Sequence, residues 1–126
     1  EVGFHPVTST KRAGEDDLLG SFLEIGRVFQ WHEDAFDLPE GAELLYTNEM
    51  VPHQAFRFGE LAYGVQFHFE ITEGTISRWC RESGSLGSVW NTSEERLLDQ
   101  ARVHLPAQQQ AARECFRRFA SLARSA

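Results

Sequence analysis

The stretch YGVQFHFE, residues 63–70, carries the strongest structural and chemical signal in the sequence. Its aromatic and β-branched residues predict a buried strand. Side chains alternate along a strand, so His68 and Glu70 project to the same side with their Cα atoms about 6.6 Å apart. If the chain turns at the strand end, the carboxylate can hold one imidazole N–H, fixing the tautomer and stabilising the imidazolium. The pair therefore predicts two-thirds of a nucleophilic triad.

The sequence does not show the third member of that triad. A nucleophilic Ser or Cys sits on a sharp turn between a strand and a helix, among small residues. Cys80, between Trp79 and Arg81, and Cys115, on an apolar stripe, both lie in helical patterns instead. We interpret both cysteines as buried packing thiols, and their reduced state as typical of a cytoplasmic protein.

Composition limits the classes of partner. The chain has 126 residues, 41% hydrophobic and 25% charged, which is typical of one globular domain. A net charge of −7 argues against nucleic acid, since phosphate binding needs an excess of Lys and Arg. No apolar run approaches the ~20 residues of a membrane span, and the first residues do not resemble a signal peptide. We expect a cytoplasmic protein that binds neither nucleic acid nor membrane and uses no cofactor or metal.

Periodicity divides the chain into a strand-rich portion, residues 1–71, and a helical portion, residues 72–126. The first portion should contain strands at 1–7, 27–31 and 42–48, one helical turn at 16–22, and a hairpin at 54–67. In the second portion the period changes to 3.6, and three helices are predicted. They should begin after Thr72, after Ser93 and at Pro106. Strands first and helices last suggest an α+β layout.

The predicted sheet is small for three covering helices. The chain also opens directly on strand-like residues, EVGFHPV. We therefore expect a fragment, with apolar faces that a missing segment or self-association covers. Each large side chain left exposed would forfeit roughly 1.5–3 kcal/mol, and a handful would consume the ~5–15 kcal/mol that a typical domain possesses.

A second polar cluster lies in FQWHEDAFDLP, residues 29–39, where His32 and Asp34 follow a predicted strand. Polar groups just past strand ends often bind ligands in α/β sheets, although Asp34 could instead cap the following turn. With His68 and Glu70, these residues could also ligate zinc. Their spacing matches no compact metal motif, so we favour a site without metal.

Two segments carry a family resemblance. YGVQFHFE resembles the YGVQFHPE signature of class I glutamine amidotransferase domains, and residues 28–59 resemble the segment that precedes it there. The opening EVGFHPV is similar to the strand that follows the family's nucleophile half. The tail HLPAQQQAARECFRRF, residues 104–119, resembles the end of the stand-alone, GMP-synthase-like members. The resemblance implies a flavodoxin-like α/β fold, present here as its C-terminal half only.

The resemblance also implies site roles. In this family a Cys-His-Glu catalytic triad hydrolyses the side-chain amide of glutamine to glutamate and ammonia. His68 matches the base, Glu70 the orienting carboxylate, and Asp34 the acidic residue that holds the amino-acid end of glutamine. His32, beside Asp34, would shape the pocket through its backbone. The nucleophilic cysteine and the oxyanion-hole glycines would lie in a missing N-terminal half, so the chain alone should be inactive.

Two other functions stay open at this point. A γ-glutamyl peptide hydrolase of the same fold would use the same triad, and no pocket residue separates amide from peptide substrates. A degenerate, non-catalytic binding module would explain the absent nucleophile and Phe69, which stands where the family usually has Pro. Proline fixes φ and lacks an N–H donor, so Phe69 should leave the turn looser.

Overall fold

The computed structural model describes residues 1–125, which form six strands, two α-helices and two 3₁₀ turns. The strands are β1 (Val2–Pro6), β2 (Thr8–Ser9), β3 (Arg27–Trp31), β4 (Glu43–Thr47), β5 (Ala55–Phe58) and β6 (Ala62–Val65). The α-helices are α1 (Glu73–Glu82) and α2 (Glu94–Ser125), and the 3₁₀ turns are Ala13–Glu15 and Leu19–Phe22. The strand-before-helix order agrees with the sequence pattern, and the α/β class agrees with what the family resemblance implies.

The strands form two small sheets. β1 pairs with β3 in antiparallel register, with Val2 opposite Trp31, and the second sheet has the order β2-β4-β5-β6. All the pairs in the described residues are antiparallel. The end of β3 and the start of β1 therefore lie side by side, which brings the polar residues after β3 close to the first residue of the chain.

The hairpin of β5 and β6 depends on two glycines. Gly59, in the turn, has φ +64°, which L side chains rarely adopt. Gly64, in β6, lies under the ring of Phe56, and a Cβ there would be 2.3 Å from the nearest ring atoms. The turn and this close approach explain why glycine occupies both positions.

The predicted strand through residues 63–70 is wrong beyond Val65, where β6 ends. The reason is a change of hydrogen-bonding partner: the Gln66 N–H donates to Gln54 O beside the four-stranded sheet, whereas the His68 N–H donates to Phe29 O of β3 (both 2.8 Å). The segment thus crosses from one sheet to the other. The crossing bends the chain at the position where His68 and Glu70 occur.

The prediction of three helices is also wrong, because α2 continues through Pro106. Proline removes one backbone hydrogen bond and costs about 3 kcal/mol within a helix. One buried stripe runs across the proline, however, and its packing offsets that cost. The stripe consists of Leu97, Ala101, Leu105, Gln108, Ala111, Ala112 and Cys115. The predicted caps do form, since Thr72 accepts from Thr75 N and Ser93 from Arg96 N (both 3.2 Å).

Helix α2 joins two apolar clusters. The first contains Phe4 and Phe29 from the two-stranded sheet, Ile76 from α1, and Leu97 from the start of α2. The second contains residues of the four-stranded sheet, the 3₁₀ turns and the later part of α2. Neither α-helix in the described residues is long and apolar enough to cross a membrane.

Candidate active site

His68 and Glu70 are hydrogen-bonded, with His68 Nδ1 2.8 Å from Glu70 Oε1. The carboxylate is an acceptor, so Nδ1 carries the hydrogen and Nε2 is left as the nitrogen that can accept a proton. The contact needs no continuous strand, because the chain bends after Val65. The His68 side chain is 33% exposed, so the imidazole is accessible to a small molecule.

The second ring nitrogen faces the end of β3. His68 Nε2 lies 3.2 Å from Trp31 O. An unprotonated Nε2 makes no hydrogen bond there, but a protonated one can donate to this carbonyl. The imidazolium would thus have an acceptor at each nitrogen. This arrangement suits a group that gains and returns a proton.

An open cleft lies beside the His68 ring. The cleft has a volume of about 310 Å³ and is lined by Trp31, His68, Trp79, Glu82 and Ser83. The Trp79 ring, from α1, meets the imidazole edge-on, with the ring centroids 5.1 Å apart. Ligand pockets start at about this volume, so the cleft can admit an amino-acid side chain.

The His32 ring contacts the backbone carbonyl of Asp34 and not its side chain. His32 Nδ1 lies 2.8 Å from Asp34 O, and Gln66 Nε2 donates to the same oxygen at 3.2 Å. The Asp34 side chain makes no hydrogen bond or ion pair within residues 1–125, so it does not cap the turn. Gln66 therefore ties the loop after β3 to the segment that carries His68, although the two predicted pairs do not bond to each other directly.

Glu1 is a residue that sequence reasoning missed. Its side chain is 1% exposed and accepts from Asn48 Nδ2 (2.8 Å) and Gln54 Nε2 (2.9 Å), and His32 Nε2 lies 3.1 Å from its Oε1. A buried carboxylate needs such donors, and these come from distant parts of the chain. The available signal was an acidic residue directly before an apolar strand.

Gln30 extends this buried network. Its Nε2 donates to Gln54 Oε1 (2.7 Å), while its own Oε1 has no partner within the described residues. Gln54 in turn donates to Glu1. The loop after β3 is therefore held by a connected set of polar side chains and not by a single contact.

Neither cysteine is placed as an activated nucleophile. Both thiols are buried, Cys80 in the cluster around Phe29 and Cys115 in the cluster around Leu45. Burial raises the pKa of Cys80 and raises the pKa of Cys115 to about 11. Because the thiolate is the reactive form, both behave as packing residues, as the sequence predicts.

Phe69 is held by aromatic packing. Its ring centroid lies 5.2 Å from those of Phe22 and Phe116, and 6.0 Å from that of Phe67. Aromatic pairs at such distances are stabilising. The ring therefore packs the turn between His68 and Glu70 against α2 and the 3₁₀ turn Leu19–Phe22.

The zinc alternative has no ligand cluster to support it. Within residues 1–125, no three His, Cys, Asp or Glu side chains are grouped so that they could hold a metal ion. His32 uses one ring nitrogen on Asp34 O and the other on Glu1. The four residues considered as ligands form two separate pairs.

Curated proteins of two descriptions are similar to the chain in sequence. A putative glutamine amidotransferase-like protein of Salmonella typhimurium is 33% identical over 72 residues, which are 57% of this chain and 30% of that protein. A glutamine-hydrolysing GMP synthase of Porphyromonas gingivalis is 45% identical over 71 residues, 52% of this chain and 14% of that protein. No family profile matches the chain.

Solved structures agree with the sequence relatives. A glutamine amidotransferase from Thermotoga maritima superposes with a TM-score of 0.81 and 29% identity, over 94% of this chain and 50% of that one. A glutamine amidotransferase from Methylobacillus flagellatus gives a TM-score of 0.81 at 23% identity, over 96% of this chain and 52% of that one, and supports the fold alone. In sequence and fold, the chain is similar to proteins described as glutamine amidotransferases, and it spans about half the length of the solved ones.

Proposed function

We propose that this chain is the C-terminal part of a glutaminase domain and supplies the His-Glu part of its Cys-His-Glu triad. Residues 1–71 would form the catalytic, strand-rich portion and residues 72–126 the helical tail. The observation that carries the proposal is the 2.8 Å bond between His68 Nδ1 and Glu70 Oε1 beside an open cleft. The sequence and fold relatives named above support glutamine as the substrate.

In this proposal His68 is the general base and Glu70 orients it. Nε2 takes the proton of a cysteine thiol, and the sulfur attacks the side-chain carbonyl carbon of glutamine. The C–N bond breaks as Nε2 returns the proton to the leaving nitrogen, which departs as ammonia. Water then attacks the thioester and gives a proton to Nε2; the C–S bond breaks, Nε2 returns that proton to the sulfur, and glutamate is released. Glu70 stays ionised throughout and stabilises the imidazolium.

The attacking sulfur would come from a segment outside this chain. Cys80 and Cys115 are buried, and their raised pKa values keep them protonated. The chain alone should therefore be inactive, because acyl transfer needs both a nucleophile and an oxyanion hole. The nucleophile-bearing half is thus the partner that the proposal requires.

Asp34 would bind the amino-acid end of glutamine. Its exposed carboxylate is free of other partners among residues 1–125 and can pair with the substrate ammonium. His32 would act through structure, since its ring holds the Asp34 backbone and is itself held by Glu1. No metal or other cofactor enters these steps.

An exposed apolar patch marks a surface that we expect to be covered. Phe116, Phe119 and Leu61 are about half exposed and line a cavity of about 320 Å³. Phe116 and Phe119 lie on α2 next to Cys115, which lines the same cavity. The proposed upstream half or a second copy of the chain would cover them.

The direct test of this function measures ammonia. Glutamine is added to the chain alone and to the complete domain, meaning this chain joined to the segment that precedes it in the proposed domain. We expect ammonia and glutamate in equal amounts from the complete domain and none from the chain alone. Activity of the chain alone would contradict the proposal, as would a folded complete domain without activity.

A parallel assay separates the two alternatives. A γ-glutamyl conjugate cleaved faster than glutamine would identify a γ-glutamyl peptide hydrolase. Binding of glutamine without hydrolysis of either compound would identify a non-catalytic binding module.

A further inference from the structure

Gln108 is a fully buried amide in α2 with both ends bonded to backbone near the site. Its side chain is 0% exposed. Its Oε1 accepts from Phe29 N at 2.8 Å, and its Nε2 donates to His68 O at 3.2 Å. One side chain thus satisfies a donor in β3 and an acceptor in the segment that carries the imidazole.

These contacts lie along one edge of β3. The Phe29 N–H donates to Gln108, and the Phe29 carbonyl accepts from His68 N at 2.8 Å. Two residues further, the Trp31 carbonyl faces His68 Nε2 at 3.2 Å. Successive same-side groups on a strand are two residues apart. The edge of β3 that does not pair with β1 therefore binds the backbone of His68 and also faces its ring.

The hydrogen bond from Gln108 to His68 O is a second link between the His68 segment and β3. Beyond Val65 the His68 segment has left the hairpin, so no β-ladder fixes its position. Its backbone is held to β3 by one direct bond and by the Gln108 bridge. We propose that Gln108 is a positioning residue for the general base: it sets the His68 backbone against β3 so that the ring meets both Glu70 and Trp31 O. The inference rests on the proposed function of His68.

The chain supplies a matched control beside Gln108. Gln109 follows it, is only partly buried, and makes no side-chain hydrogen bond within residues 1–125. The same substitution at the two positions therefore compares the loss of the bridge with a similar change of side chain. Gln108→Met keeps length and apolar contact but removes both hydrogen bonds.

A second variant separates the two ends of the bridge. Gln108→Glu has nearly the same volume, and its carboxylate accepts from Phe29 N but cannot donate to His68 O. Its protonated form can make both bonds. A positioning role predicts that Gln108→Glu loses more activity, relative to the unsubstituted domain, at alkaline than at acidic pH.

The experiment measures glutamine hydrolysis and the imidazole of the complete domain. We expect Gln108→Met to lower kcat about 10–100-fold, the scale of a small misplacement of a catalytic group. KM should change less than about threefold, since the amino-acid pocket is untouched. The Gln109→Met variant should match the unsubstituted domain. The ¹⁵N NMR signals of His68, assigned by their loss in His68→Ala, should shift in Gln108→Met only.

Two results would overturn the inference, and a third would overturn the proposed function on which it rests. A folded Gln108→Met variant with unchanged kcat and unchanged His68 signals would overturn the inference. If that variant does not fold, Gln108→Glu is measured instead, and the absence of the pH effect would overturn it. If the unsubstituted domain releases no ammonia, the proposed function fails. The His68 signals of the Gln108 variants then decide alone whether Gln108 positions the ring.

Discussion

Replacing His68 with alanine should lower kcat for glutamine hydrolysis by the complete domain by roughly 10²–10⁴-fold. This is the usual contribution of a positioned general acid and base. The physical reason is that Nε2 is the proton acceptor of the proposed reaction and Glu70 holds Nδ1–H at 2.8 Å. Steady-state ammonia release, corrected for the folded fraction, measures the effect.

Two variants control that measurement. His104→Ala removes an imidazole from α2 that packs against Phe4, away from the cleft, and should leave kcat near its original value. Glu70→Gln keeps an acceptor for Nδ1–H but removes the charge, so its loss should be smaller than that of His68→Ala. A His68→Ala enzyme as active as His104→Ala would contradict the assignment of the base.

Replacing Leu97 with alanine should lower the free energy of unfolding by about 2–5 kcal/mol. Leu97 is 0% exposed and packs in the cluster that contains Phe29 and Ile76. The substitution opens a cavity where α2 meets α1 and the two-stranded sheet, and the surrounding chain can collapse into it only in part. Urea unfolding of the complete domain gives the value.

The same helix provides the comparison. Val103 is 72% exposed, so Val103→Ala should change the free energy of unfolding by less than about 0.5 kcal/mol. Equal effects of the two substitutions would mean that the cluster around Leu97 does not support the fold as described. The slope of the unfolding curve should stay the same in both variants, since the exposed surface changes little.

Local sequence patterns predicted most of the strands and helix starts, because the interactions that determine them lie within a few residues. The period-two run at 27–31 became β3 with the predicted bounds, and the run at 42–48 became β4 one residue shorter at each end. Gly59 lies in the hairpin turn, and the side chains of Thr72 and Ser93 cap the two helix starts. These signals act within a few residues, so a single sequence carries them in full.

The errors arose where distant contacts decide the structure. Pro106 predicts a helix boundary locally, but a buried stripe on both sides of it keeps α2 continuous. The strand predicted through residue 70 ends at Val65, because the His68 backbone bonds to β3 and not to the hairpin. Tertiary packing outweighed local propensity in both cases.

For the candidate site too, the sequence predicted the local contact but not the distant ones. His68 and Glu70 are two residues apart, so their contact followed from spacing and chemistry. Glu1 and Gln108 act on residues 31 or more positions away, and no local pattern links them to the site. Their functions in the structure became visible only once β1, β3 and α2 were placed together.

Covalent labelling of the complete domain locates the attacking sulfur. The complete domain is treated with an electrophilic glutamine analogue, such as a diazoketone, and the labelled peptide is identified by mass spectrometry. The account predicts one adduct, on a cysteine outside residues 1–126, that forms much more slowly in His68→Ala. An adduct on Cys80 or Cys115, or labelling that is indifferent to His68, would contradict it.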